Sequence, residues 1–175
     1  MTATGWFLED IDREDHATPH AFVDEDAGAR EPLIASGPVG GFAPYCLYSF
    51  PTYPDGLLRT SASDYAKFLM ACVRVGAGGT GGVLAAETLR SMLKDHEDTR
   101  TADRLEAVQG LCWVGSRDGR GRERWSHSGA DPGVRTLAMM DVDSGAAALA
   151  FANGPAGEYL YEAVERLLDH ARTVA

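Results

Sequence analysis

The sequence predicts an α+β fold: an antiparallel sheet with a C-terminal covering helix, preceded by a small helical and loop segment. Three observations carry this. Four candidate strands, residues 108–115, 123–128, 134–142 and 146–153, follow one another on connections too short for crossovers, which predicts a meander. Over residues 156–174, Leu160, Val164, Leu167, Leu168 and Ala171 share one helical face, with Glu158, Glu162, Glu165, Arg166 and Asp169 on the other. Over residues 62–75, Tyr65, Phe68, Leu69, Cys72 and Val73 repeat at the helical period.

The chain divides into a loop-rich segment over residues 1–58, a helical segment over 59–96, and the sheet with its helix over 107–175. In the first, Gly5-Trp6-Phe7-Leu8 is a short apolar anchor. Glu9, Asp10, Asp12, Glu14, Asp15, Asp24, Glu25 and Asp26 then face only Arg13 and Arg30, and Pro19, Pro32, Pro38, Pro44, Gly37, Gly40 and Gly41 break any period. These carboxylates show no spacing suited to acid–base work and read as solvated. His16 and His20 are four apart, but Thr18-Pro19 between them prevents a shared helical face, so no metal site is expected.

In the second, Tyr53-Pro54-Asp55-Gly56 predicts a turn, and Ser61 with Asp64 makes an S-x-x-D cap for the helix over 62–75, with Gly76 as its left-handed stop. The glycine-rich loop over 76–82 lacks the Lys-Ser or Lys-Thr of a phosphate loop and reads as a connector. A second helix over 86–95 should bury Leu89, Met92 and Leu93.

Composition bounds the partners. With 175 residues the chain is one domain's worth of polypeptide, and its net charge of −10 argues against nucleic acid, whose phosphates require clustered Lys and Arg. No apolar run approaches the roughly 18 residues of a membrane helix, and no basic-then-apolar leader follows Met1, so the compartment stays open. Cys46, Cys72 and Cys112 are odd in number and widely spaced, which predicts buried free thiols rather than disulfides or a zinc site.

The stretch that carries chemistry is Trp125-Ser126-His127-Ser128-Gly129-Ala130-Asp131-Pro132-Gly133. Buried strands rarely place His, Ser and Gly in succession. A strand that receives a ligand does, because Gly admits a second backbone and Ser and His supply hydrogen bonds. Trp125 is expected in the core. A triad drawn from Ser128, His127 and Asp131 fails, since neighbours on a strand point to opposite faces.

This stretch, with the strands and helix behind it, resembles the C-terminal part of the serine beta-lactamase and penicillin-binding-protein family. More narrowly, it is similar to the broad esterase, carboxypeptidase and class C-like branch, where His-x-Gly stands in for Lys-Thr-Gly. The passage over 53–69, the Gly loop, the second helix and Thr4-Gly5-Trp6-Phe7 resemble the same family. The resemblance implies that His127 and Ser128 orient the substrate and assist proton transfer. It further implies that the strand at Gly129 pairs with the substrate, and that the backbone N–H of Ala130 helps form an oxyanion hole. No cofactor or metal is implied.

The family's reactive Ser, activated by a Lys one helical turn later, and its Tyr-x-Asn relay have no counterpart here. The sole S-x-x-K is Ser91 to Lys94, on an exposed face beside Asp95, His96, Glu97 and Asp98, where a solvated Lys is protonated and no base. Asn153 is the only Asn, and its expected role is a turn cap. The chain is therefore expected to be a partial domain, the C-terminal part of a serine hydrolase that is not competent alone. Its expected partners are a small amide or ester substrate (a β-lactam, D-Ala peptide or small ester) and a polypeptide supplying the missing half. The second reading is a non-catalytic remnant or peptide-binding module using an exposed strand edge.

Overall fold

A computed structural model describes residues 1–23, 35–36, 39–96 and 107–174. Glu25, Asp26, Arg30, Pro32, Gly37, Pro38, Glu97 and Asp98, like Asp24, lie outside them. Within the described residues the fold is α+β, as expected. Its centre is a five-stranded antiparallel sheet in the order β5 (Ala107–Gln109), β6 (Val114–Arg117), β7 (Glu123–Asp131), β8 (Val134–Asp141) and β9 (Ala146–Ala152). Helix α1 (Ala62–Gly76) and the short α2 (Ala86–Met92) lie on one face, and α3 (Gly157–Val174) covers the other.

Helix α1 starts where the sequence places it, with the Ser61 hydroxyl accepting the Asp64 N–H at 3.1 Å. It ends later than expected. Gly76 stays helical, lying where a Cβ would collide with Val142 in the turn after β8, and Gly78 takes the positive φ of +86° instead. The N–H groups of Ala77, Gly78 and Gly79 then bond back to the carbonyls of Val73, Val75 and Arg74. Helix α2 stops at Met92, short of the expected Asp95; Leu89 is buried, and Met92 and Leu93 pack half-buried against the same core.

The segment 108–115, expected as one strand, is two that pair with each other. The chain reverses between Gly110 and Trp113, where the Gly110 N–H donates to the Trp113 carbonyl at 2.8 Å and Cys112 adopts φ +62°. Cys112 is exposed, Cys46 half-buried and only Cys72 buried, which corrects the expectation of three buried thiols.

The hairpins follow from local chemistry. The Asp118 carboxylate accepts the Arg120 and Arg122 N–H groups between β6 and β7. Pro132-Gly133, with Gly133 at φ +69°, joins β7 to β8. Asp141 accepts the Ser144 N–H, and Gly145 at φ +73° returns the chain into β9.

Two cores sit back to back across the sheet. Trp113, Trp125, Ala138 and Met140 pack with Leu69, Cys72, Val73, Val75 and Leu89 on the α1 side. Leu137, Met139 and Ala146 pack with Leu160, Val164 and Leu168 on the α3 side. Leu167, expected in that apolar face, is half exposed instead.

Helix α3 is also clamped electrostatically. Glu165 pairs with Arg124, Asp169 with Arg122, and Arg172 with Asp118, Asp141 and Asp169. Burial alone would raise the Asp118 carboxyl, but the N–H groups of Arg122 and Arg120 and the Arg122 guanidinium outweigh it and hold the group at about 2.

The loop-rich segment contributes two small sheets. Strand β1 (Thr4–Gly5) pairs with β4 (Arg59–Thr60), and β2 (His20–Phe22) with β3 (Phe42–Pro44). The first is anchored by buried Asp64, which accepts from the Ala3 N–H, the Thr4 hydroxyl and Lys67. Lys67 chiefly holds its carboxyl at about 2. The second touches the end of the main sheet, where the His20 N–H donates to the Asn153 carbonyl and the Asn153 amide to the Thr18 carbonyl.

Candidate functional site

Strand β7 is nine residues long and its neighbours are unequal. Strand β8 pairs with it from Trp125 to Asp131, whereas β6 leaves it after Ser126. Among the described residues, 127–131 thus have a strand on one side only, and alternation turns every second N–H and C=O of this stretch toward the other side. Pairing assigns the faces. Trp125 lies opposite Met140 and His127 opposite Ala138, all on the α1 side; Ser126 and Ser128 lie opposite Met139 and Leu137, on the α3 side.

His127 and Ser128 are both exposed, but they face opposite ways. Trp125 is buried, as expected; its indole N–H donates to Glu123 at 2.8 Å, and Gly115 lies flat against its ring. The His127 ring meets buried Trp113 edge-on at 6.1 Å between centroids. Gly129, two residues on, shares the face of His127. A Cβ at that position would stand 2.6 Å from Thr136 Oγ1, so glycine keeps the surface beside His127 flat. Ala130, next along, is exposed.

The far end of this ledge is closed by the loop-rich segment. The Tyr48 hydroxyl donates to the Pro132 carbonyl at 2.8 Å, and burial, with help from the Asp131 carboxylate, pushes its pKa up to about 12. The Arg59 guanidinium donates to the carbonyls of Trp6, Leu57 and Tyr48, tying three loop segments together behind it.

Trp113, Thr136 and Tyr48 were not singled out from the sequence. Trp113 and Thr136 follow only once cross-strand register is known. Tyr48 sits in a segment without periodicity, and nothing local ties it to Pro132.

Ser91 and Lys94 do not form an activated pair. Helix α2 ends at Met92, so Lys94 lies beyond it, and both residues are exposed. The Ser91 carbonyl instead contacts His96 Nε2 at 2.6 Å. Among the described residues no helix is long and apolar enough to cross a membrane.

A mixed fold of this kind, with an antiparallel sheet between helices and a half-open strand that carries His-Ser-Gly, fits a serine hydrolase-related domain. The family described as Beta-lactamase matches residues 1–172, and the chain belongs to that family. No curated protein sequence matches it.

Proposed function

We propose that the chain forms the substrate-side part of an acyl-transfer site, in a serine hydrolase acting on a β-lactam, a D-Ala peptide or a small ester. The observation that carries the reading is the half-open β7, whose residues 127–131, among the described residues, pair with a strand on one side only, next to exposed His127.

An extended acyl substrate would add to that side as a short strand. The Ala130 N–H would then polarise the scissile carbonyl, and His127 and Ser128 would orient the substrate and assist proton transfer. The attacking hydroxyl would come from an S-x-x-K segment on further polypeptide, because the only such motif here is the solvated Ser91–Lys94 pair. Residues 1–175 are then one partial domain, not competent alone.

The test is to incubate the purified chain with nitrocefin, p-nitrophenyl acetate and a fluorophosphonate probe. The same assay is then run with an added family segment bearing S-x-x-K and Tyr-x-Asn. Silence alone and turnover on addition is the expected pattern; labelling of Ser91 or Ser128 in the isolated chain would refute it.

The same open stretch also favours a second reading, a non-catalytic module that binds a peptide by strand addition. Saturable peptide binding that never leads to turnover with any added segment would select it.

A further inference from the structure

The chain is acidic overall, with 16 Lys and Arg against 26 Asp and Glu, yet five of its arginines line one place. A half-open cavity of about 310 Å³ lies between the β6–β7 hairpin and the second half of α3. Arg117 and Arg120 come from the hairpin, Arg122 and Arg124 from the start of β7, and Arg172 from the last turn of α3. Leu168, almost inaccessible, supplies an apolar wall. Exposed Tyr159 and Leu167 lie on the opposite flank of α3, so one hairpin and one helix make the whole cavity.

Hydrogen bonds separate these cations into two groups. The inner three hold the fold. Arg122 Nε donates to Asp118 at 2.7 Å and its Nη2 pairs with Asp169; Arg124 pairs with Glu165, and Arg172 with Asp118, Asp141 and Asp169. Every carboxylate of the lining is thereby engaged.

The outer two are left over. Among the described residues the Arg120 guanidinium has no hydrogen-bond or ion-pair partner. Arg117 Nη1 donates to the Gly121 carbonyl at 2.8 Å, which fixes its head in the hairpin. Its carboxylate neighbour, Glu123, stands 3.6 Å away and already accepts the Trp125 indole N–H. An exposed pair at that distance contributes little, so a clamp between hairpin and helix needs neither Arg117 nor Arg120. Arg122 Nη1 and Arg124 Nη2 also have no acceptor among the described residues.

We propose that the cavity binds a phosphate dianion, free or as a monoester, held chiefly by Arg117 and Arg120 at its mouth. A tetrahedral oxyanion accepts from several directions at once, whereas one planar guanidinium edge satisfies a carboxylate. The two outer cations match its two charges. Asp118 fixes the hairpin that carries them by accepting the Arg120 and Arg122 N–H groups, so little further ordering is needed on binding. The net charge of −10 on the chain as a whole disfavours an extended polyanion. The cavity lies on the α3 side of the sheet, opposite the face that carries His127, and the proposal stands independently of the acyl-transfer reading.

Equilibrium dialysis and isothermal titration of the purified chain with inorganic phosphate test this at about pH 8, where the dianion dominates, against sodium chloride of equal ionic strength. One phosphate per chain, a dissociation constant at or below about 1 mM, and a urea midpoint raised beyond the chloride control are expected. Arg117→Gln and Arg120→Gln should each raise the dissociation constant about fivefold to tenfold, with circular dichroism confirming that both fold. Arg90→Gln, which removes one charge from exposed α2 surface, should leave it unchanged. Glycerol phosphate competing with inorganic phosphate assigns the site to a phosphorylated molecule; failure to compete assigns it to the free ion. No saturable uptake, stabilisation no greater than that by chloride, or a dissociation constant indifferent to both cavity variants or raised equally by Arg90→Gln would overturn the proposal.

Discussion

Arg172 Nε donates to Asp141 Oδ2 at 2.7 Å, joining the last turn of α3 to the end of β8 across a contact in which both side chains are nearly inaccessible. The same guanidinium reaches Asp118 at 3.1 Å, so one cation serves two carboxylates on different hairpins, buried Asp141 and partly buried Asp118. Removing it takes the guanidinium from buried Asp141, while Asp118 keeps Arg122. Arg172→Met should cost about 3 kcal/mol or more, read as a fall in the urea midpoint with an unchanged slope. A loss below about 1 kcal/mol would show that water reaches the carboxylates.

Acid should weaken the fold in a defined window. Asp64 and Asp118 both titrate at about 2, against an ordinary value of 3.8, so each is harder to protonate in the folded chain than in the unfolded one. Their contribution is complete above the ordinary value and is lost as pH falls from there through about 2. Urea midpoints measured from about pH 5 to about pH 2 should fall steadily, and less steeply in Asp64→Asn. An equal slope in that variant would remove Asp64 from the account.

Gly129 is sterically required. In Gly129→Ala the new methyl meets Thr136 Oγ1, and a cost of about 1–3 kcal/mol is expected from the forced shift. Thr136→Ala in the same chain should return much of it. A double-mutant cycle by chemical denaturation measures the coupling, and additive losses would point to another cause.

His127 should matter to chemistry and little to stability. It is exposed and meets the core at the edge of Trp113, so His127→Ala should shift folding free energy by less than about 1 kcal/mol. Under the proposed function the same variant should lose at least about tenfold of whatever turnover an added S-x-x-K segment confers. Ser91→Ala and Lys94→Ala should leave both stability and turnover unchanged.

Much of this fold is legible in the residues. The α3 face follows from helical periodicity, strands β8 and β9 from apolar segments bounded by turn residues, and the Ser61 cap from a four-residue signature. What was hidden has specific causes. The break between β5 and β6 rests on Cys112 at positive φ, which no composition rule flags. Strands β1 to β4 are two or three residues long, too short for alternation to register. Leu167 lies next to the apolar arc of α3, and only the position of the sheet decides that it falls outside. For the candidate site, His127 to Ala130 could be picked out in advance, whereas Trp113, Thr136 and Tyr48 required the register and the path of the loop.

Strand β8 gives alternate residues to opposite interiors: Leu137 and Met139 to one, Ala138 and Met140 to the other. Sliding it by a single position would empty each cavity into its neighbour and seat an alanine where a leucine had been. The strand that belongs to both sides is thus the ruler against which the others are aligned, and the half-open stretch of β7 inherits its position from that measurement.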